Sequence, residues 1–241
     1  MFEELRPKCP SDARPFACAV KAVLALSADD VAQRLSDALQ PLAKRAIGFG
    51  RGSAERFRKP TQQRARFVWQ GVIAHDDDIV RVQLPIPVAW INQASSPQLQ
   101  LCVAWDTPVC AAAESQWSCR DVKVTIRPGP EADALRGSSG RVEGYPLFKR
   151  AWQLDKARKK KTVESDLWVL EFNYSQAAAY AAGHTVPPSQ RVAFAAEIWD
   201  EAEIPLNPHS FVQSLPIASS LVRLSNTSAW LPQAISITSD V

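Results

Sequence analysis

The sequence predicts a mainly β protein: an antiparallel β-sandwich of jelly-roll type, preceded by two N-terminal helices. The spacing of apolar residues changes after Pro60 from about 3.6, which is typical of a helix, to about 2, which is typical of a strand. About eight strand-like segments follow, separated by turns rich in Pro, Gly, Ser and Asn. No long helical segment lies between them, so parallel crossover connections are not expected. Eight antiparallel strands suit a jelly roll.

The first predicted helix comes from the segment RPFACAVKAVLALS, residues 14–27. Its apolar residues cover more than one face of a helix, which indicates burial on several sides. Ser27 then begins a capping box that opens the second helix, in which Val and Leu recur on one stripe. Both helices are expected between Ala13 and Ala46.

The strands are predicted from alternation or from short apolar runs. Alternation predicts strands in DIVRVQLPI, QLQLCVAW, RDVKVTIRP and RVAFAAEI, whereas ARFVWQGVI and DLWVLEFNY are expected to be more fully buried. The segments SLVRLS and AISIT are weaker, closing strands. Four tryptophans are expected to fill the core between the two sheets: Trp69, Trp105, Trp168 and Trp199.

The glycine-rich stretch AIGFGRGSAERF is interpreted as a joint between two structural units. Gly48 and Gly50 begin a G-x-G pattern, but Ser53 stands where a dinucleotide fingerprint needs its third glycine, and no Lys-Ser/Thr pair of a P-loop follows. Glycines after a helix more often supply a left-handed cap and a chain reversal. The joint divides the chain into a helical segment, 1–59, and a sandwich domain, 60–241.

Composition excludes several classes of protein. The chain has 241 residues, 46% hydrophobic and 22% charged, which is ordinary for a globular protein. No apolar run reaches the length of a membrane span, and the N-terminus lacks the apolar core of a signal peptide, so a cytoplasmic protein is expected. Five cysteines without a C-x-x-C pair, and three histidines far apart, provide no zinc ligand set. We therefore expect no metal and no cofactor.

The net charge of +3 is unevenly distributed, and the densest basic run is KARKKK. Its cations are predicted to form a basic surface: Lys156, Arg158, Lys159, Lys160 and Lys161. The run contains no aromatic residue on which a base could stack, so nucleic-acid binding is not expected. It is interpreted either as a solvated loop or as a contact surface for an acidic partner.

The sequence contains no complete catalytic constellation. No serine lies in a G-x-S-x-G motif. The acidic segments HDDD, residues 75–78, and WDEAE, residues 199–203, are the remaining candidates for metal binding and for acid–base chemistry. Both are interpreted as polar loops, since acids that are consecutive in sequence are typical of solvated turns. No catalytic residue is therefore assigned.

Four segments in order resemble one known family. The segments FACAVKAVLALSA and AIGFGRGSAERF resemble the end of the catalytic domain of bacterial subtilisin-like serine proteases (subtilases). The segments QRARFVWQGVIAHDDDIVRVQLPIPV and LQLCVAWDTPV resemble the C-terminal β-sandwich found in many of these proteases. The resemblance extends from Phe16 to about Pro108 and is only architectural afterwards. The catalytic aspartate, histidine and G-T-S motifs of the family lie upstream of this region and are not present in the chain, which is therefore predicted to be inactive alone.

The resemblance implies a non-catalytic C-terminal region that stabilises or positions a subtilase catalytic part or its substrate. Some apolar residues of the first helix cannot face the sandwich, because they spread around the helix. These are the predicted partner-binding residues, for a catalytic part or for self-association: Phe16, Val20, Val23 and Leu24. The alternative is an independent β-sandwich binding module that uses a basic face to hold an acidic partner.

Overall fold

A computed structural model of the chain describes residues 16–28, 64–73, 79–106, 120–130, 132–135, 146–154, 165–176, 189–216, 222–225, 228–231 and 235–237. The helices in these ranges are α1 (Ala17–Ser27), α2 (Val88–Gln93) and α3 (Pro208–Gln213). The strands are β1 (Arg64–Ile73), β2 (Ile79–Pro85), β3 (Pro97–Trp105), β4 (Arg120–Arg127), β5 (Leu147–Gln153), β6 (Leu167–Gln176), β7 (Gln190–Asp200), β8 (Val222–Ser225), β9 (Ser228–Trp230) and β10 (Ile235–Ile237). The second predicted helix lies outside the described residues.

The strands form two sheets that pack face to face. The large sheet has the order β5-β3-β7-β1-β9-β8, and the small sheet has the order β10-β2-β6-β4. Pairing between the described strands is antiparallel except for the short β1–β9 pair. From β1 to β7, successive strands alternate between the two sheets, and β7 lies between β1 and β3 just as β6 lies between β2 and β4. This is the strand arrangement of a jelly roll, and the predicted mainly β antiparallel sandwich is confirmed.

The core between the sheets is built around three stacked aromatic rings. The ring centroids of Trp69 and Phe172 lie 5.5 Å apart, and Phe194 lies 5.8 Å from each of them. Gly71 follows Trp69 on the same face of β1, and a Cβ atom at Gly71 would lie 2.4 Å from the Cζ2 atom of the indole. The missing side chain of Gly71 therefore makes room for the ring that joins the two sheets.

Three of the four tryptophans expected in the core are buried: Trp69, Trp105 and Trp168. The prediction is wrong for Trp199, which is half-buried on the outer face of the large sheet, with the guanidinium carbon of Arg64 5.0 Å from its ring centroid. Alternation explains the difference, because Ile198 faces the core and the next residue of a strand points to the opposite face.

The sequence does not predict β5, β9, α2 or α3. Strand β5 has the sequence LFKRAWQ, in which two cations separate the core residue Phe148 from Trp152, so that no clear alternation appears. It lies at the edge of the large sheet, where exposed side chains are tolerated. Helices α2 and α3 have six residues each, too few to show a helical period.

A buried ion-pair cluster lies on the outer face of the large sheet. The carboxylate of Glu197 on β7 accepts hydrogen bonds from two arginines of the neighbouring strand β1: from Nη1 of Arg64 at 2.8 Å and from Nε of Arg66 at 2.5 Å. Glu197 is 1% exposed and Arg66 is 4% exposed. These charges are thus removed from water and depend on one another for compensation.

Asp200 departs from the expected solvated acidic loop. Its carboxylate is buried and accepts hydrogen bonds from four backbone N–H groups: those of Ser95, Ser96, Ala202 and Leu206, at 2.8 to 3.3 Å. Asp200 thereby fixes the end of β7 to the turn before β3 and to the loop that leads into α3. The next two acids of the segment, Glu201 and Glu203, are exposed as expected.

We expect the substitution Asp200→Asn to destabilise the protein. Asparagine keeps the shape of the side chain, but its NH₂ group replaces an accepting oxygen and faces backbone donors. The free energy of unfolding should fall by about 1–2 kcal/mol, measured by urea denaturation. Glu201→Gln removes the same charge from an exposed neighbour and should change it by less than about 0.5 kcal/mol. Equal losses in the two variants would contradict this assignment.

Candidate docking site

Helix α1 lies across the outer face of the large sheet and is buried on one side. Its buried side carries mainly small residues, among them Ala19 and Ala22. The sheet beneath it also offers small side chains, such as Ala193 and Ala195 on β7. Small residues on both surfaces allow the helix backbone to approach the sheet closely. The complete interface contains the buried residues Cys18, Ala19, Ala22, Val23, Ala25, Leu26, Val68, Cys102, Ala104, Leu147, Ala193 and Ala195.

The N-terminal end of α1 is held by polar groups of the sheet. The N-cap residue Phe16 provides no side-chain cap of its own. Instead, the Phe16 amide donates a hydrogen bond to Oε1 of Gln70 on β1 at 2.8 Å, and the Cys18 amide, facing Asp106 just after β3, acts to lower the pKa of that carboxyl. These contacts satisfy N–H groups that the first turn of a helix leaves without partners, and they place a carboxylate at the positive end of the helix dipole.

The C-terminal end of α1 is held in the same way by a cation. The Nζ atom of Lys149 on β5 donates hydrogen bonds to the carbonyl oxygens of Ala25 at 2.8 Å and of Ala28 at 2.9 Å. A positive charge at the carbonyl end of a helix complements its dipole. The large sheet therefore fixes α1 at both ends, from β1 and β3 at one end and from β5 at the other.

Charged side chains around the first turn of α1 also help to hold the helix on the sheet. Burial raises the pKa of the Asp106 carboxyl, while Arg191, Lys21 and the Cys18 amide act in the opposite direction. Burial lowers the pKa of the Lys21 ammonium group, and the attraction of Asp106 opposes it. The guanidinium carbon of Arg191 also lies 5.0 Å from the ring centroid of Phe16, a cation–π distance. The first turn is thus bound by both charge and aromatic contacts.

The four predicted partner-binding residues occupy different positions. Val23 is fully buried against the sheet, whereas Phe16 and Val20 are half-buried at the margin of the interface. Leu24 is 37% exposed. Helical spacing places Ala17, Val20 and Leu24 on one stripe, which we call the outward stripe: Ala17 and Leu24 are exposed, and Val20 is half-buried where the stripe meets the interface.

The remaining predicted site residues lie outside the described residues. They are the joint glycines Gly48 and Gly50 and the basic run Lys156, Arg158, Lys159, Lys160 and Lys161.

The α1 interface also contains two buried thiols. Burial raises the pKa of Cys18 and that of Cys102 to about 12. The thiolate is the reactive form of cysteine, and at neutral pH both groups are protonated and packed as small apolar side chains.

The described ranges contain neither a cluster of metal-ligating side chains nor a helix suited to cross a membrane. Their His, Cys, Asp and Glu side chains form no group of three that could hold a metal ion. None of the helices in this part of the chain has the length and apolar composition that a bilayer crossing requires.

Sequence reasoning missed the groups that anchor α1: Gln70, Asp106 and Lys149. One signal was available, because the helix begins after Phe16 rather than after a Ser, Thr, Asp or Asn that could cap it. An uncapped N-terminus that becomes buried requires acceptors from elsewhere in the fold. The sequence does not show which residues supply them, since Gln70 lies 54 positions from Phe16 and Lys149 lies 124 positions from Ala25.

Comparisons with known proteins provide no family for the chain. No family model and no curated protein sequence matches it. Among solved structures, a chain of desmodium yellow mottle tymovirus is similar, with 10% sequence identity and a TM-score of 0.28, over 59% of this chain and 88% of the viral one. A similarity of this size supports no conclusion about function.

Proposed function

We propose that the chain is a non-catalytic C-terminal region of a subtilisin-like serine protease, which holds α1 on its β-sandwich and presents it to the catalytic part. One observation carries this proposal: α1 is fixed at both ends by the large sheet while Ala17 and Leu24 of its outward stripe stay exposed. The resemblance of α1 to the end of a subtilase catalytic domain supplies the partner.

The anchoring of α1 supports a positioning role. A helix that only followed the catalytic domain could be joined to the sandwich by a loop, without contacts to the sheet. Here the helix buries one face against β3 and β7, and Gln70, Asp106 and Lys149 satisfy backbone groups at its two ends. Such an arrangement fixes the orientation of the helix relative to the sandwich. A catalytic part that packs on the outward stripe is thereby held in a defined position.

The composition of the outward stripe supports a protein partner. Ala17, Val20 and Leu24 are small or aliphatic, and Lys21 beside them is half-buried. An apolar strip of this kind suits helix-to-helix packing, with spacings of three and four residues. The partner surface expected for it is an apolar helix face of the catalytic part.

We expect Leu24→Glu to weaken association with the catalytic part. The test uses the full chain co-expressed with a subtilase catalytic part, encoded upstream in the same gene or in an adjacent gene, that carries the Asp, His and G-T-S motifs. Burying a leucine side chain stabilises an interface by about 1.5–3 kcal/mol, so its loss together with a buried charge should lower affinity by at least about tenfold. Affinity is measured by calorimetry after co-purification.

The matched control is Ile204→Glu. Ile204 is 91% exposed, in the loop after β7, at the opposite end of that strand from Arg191 and the first turn of α1. This variant removes an exposed aliphatic side chain and adds the same charge, and it should bind as the wild type does. Equal binding by both variants would exclude the outward stripe as the contact. A wild-type chain that fails to associate with the catalytic part would overturn the proposed function itself.

A further inference from the structure

The outer face of the small sheet carries a second carboxylate between two arginines. The carboxylate of Glu171 on β6 accepts hydrogen bonds from Nε of Arg81 on β2 at 3.0 Å and from Nε of Arg127 on β4 at 3.1 Å. Lys123, two residues before Thr125 on β4, is exposed on the same face, since Thr125 is paired with Glu171. Unlike the cluster at Glu197, this one faces solvent, and the Arg81 side chain is 42% exposed.

Five charged residues of β2, β4 and β6 share this register: the cations Arg81, Arg127 and Lys123 and the acids Glu171 and Asp121, which leaves one positive charge in excess. We call Arg81, Arg127, Lys123 and Glu171 the basic face. Arg127 also donates from Nη1 to the carbonyl oxygen of Ala132 at 3.1 Å. Arg81 makes its hydrogen bond to Glu171 through Nε, and among the described residues no bond from its Nη atoms occurs, so those donors are available to a ligand.

We propose that the basic face binds an acidic segment of another polypeptide, with Arg81 and Lys123 as its main contacts. A guanidinium group has a planar set of donors that matches the two oxygens of a carboxylate. Glu171 holds Arg81 through Nε and leaves its outer edge available, which reduces the rotamer freedom that binding would otherwise remove. Lys123 adds a second positive charge two strands away, on β4, so that successive carboxylates of an extended acidic segment can be contacted together.

The chemistry of this face favours a polypeptide over a nucleic acid. Its described side chains, on β2, β4 and β6, include no aromatic ring on which a base could stack. The cations surround a carboxylate rather than forming a continuous stripe that could follow a phosphate backbone. This binding does not depend on the docking proposed for α1, which lies on the other sheet.

The test measures binding of a fluorescein-labelled octaglutamate peptide to the full chain by fluorescence anisotropy at low salt. An octaglutamine peptide should not bind, and added salt should weaken binding of the acidic peptide. We expect Arg81→Gln to lower affinity by about threefold to fivefold, and the double variant Arg81→Gln/Lys123→Gln by about tenfold. Both residues are exposed, so thermal unfolding should be unchanged.

The matched control is Arg150→Gln. Arg150 is an exposed arginine on β5 of the large sheet, so its loss changes the net charge equally without touching the basic face. It should leave the affinity within about twofold of the wild type. An equal loss in Arg150→Gln and Arg81→Gln would overturn the proposal, since it would reveal attraction by net charge alone. Tighter binding of a single-stranded DNA octamer than of octaglutamate would also overturn it, and so would absence of peptide binding.

Discussion

The substitution Glu197→Ala is expected to lower the free energy of unfolding by about 3 kcal/mol, measured by urea denaturation. Glu197 is the carboxylate that faces both Arg64 and Arg66 across the β1–β7 pair. Once it is removed, the guanidinium group of Arg66 stays buried in the large sheet without this negative charge. Removing one partner of a buried ion pair leaves a desolvated charge, and this cost far exceeds the net contribution of the intact pair.

The small sheet offers a geometric control for this prediction. Glu171 is also hydrogen-bonded to two arginines of neighbouring strands, but Arg81 and Arg127 remain accessible to water. Glu171→Ala should therefore cost less than about 1 kcal/mol. If the two alanine variants lose the same free energy, burial does not decide the strength of these clusters. The size of the loss at Glu197 would then need a different explanation.

Most of the sandwich could be predicted because the order of apolar and polar residues along each long strand shows which of its faces are buried. Strands β2 and β4 alternate between apolar and polar residues, as expected when one face of a sheet contacts the core. Strand β1 is buried on both faces, between the aromatic core and α1, and its sequence is correspondingly apolar over most of its length. In these strands local composition and tertiary burial agree, so the sequence is sufficient to predict them.

The elements that were missed depend on distant partners. Strand β5 contains Lys149, which would be an exposed cation in an ordinary strand but here holds the carbonyl end of α1. Asp200 lies in a segment that resembles a solvated loop, and only the fold brings the amides of Ser95 and Ser96 to it. A polar residue that binds a backbone group far along the chain cannot be recognised from its own segment. The spacing of apolar and polar residues around it is the same whether or not that distant contact forms.

Helix α1 combines a feature that the sequence predicts with one that it does not. Apolar residues on several faces of α1 indicate burial from more than one direction, and the sequence names Leu24 as one of the residues involved. It does not say which face the sheet takes. That choice follows from small residues of β7, such as Ala193 and Ala195, which let α1 approach, and from the anchors at its two ends. The outward stripe can therefore be identified only once the strand register is known.

Gly71→Val is the second substitution with a large expected effect, a loss of about 3 kcal/mol in the free energy of unfolding. The valine Cβ would lie 2.4 Å from Cζ2 and 2.5 Å from Cη2 of the Trp69 indole, well inside van der Waals contact. The backbone of β1 cannot yield easily, because Gly71 lies in the run of antiparallel pairing with β7, opposite Val192. The indole must therefore turn away from Phe172 and Phe194, and the aromatic stack between the two sheets is lost.

A double-substitution cycle tests whether this clash is the cause. Trp69→Leu alone should be destabilising, because it leaves a cavity in the core. Adding Gly71→Val to Trp69→Leu should cost less than it does in the wild type by about 1–2 kcal/mol, since the new methyl groups then fill space that the indole occupied. Gly129→Ala provides the control: its Cβ would meet its nearest neighbour, Ser165 Cβ, at 3.3 Å, and the change should stay below about 1 kcal/mol. If the losses in the free energy of unfolding caused by Trp69→Leu and by Gly71→Val are simply additive in the double variant, the cost of Gly71→Val arises from the strand backbone and not from the indole.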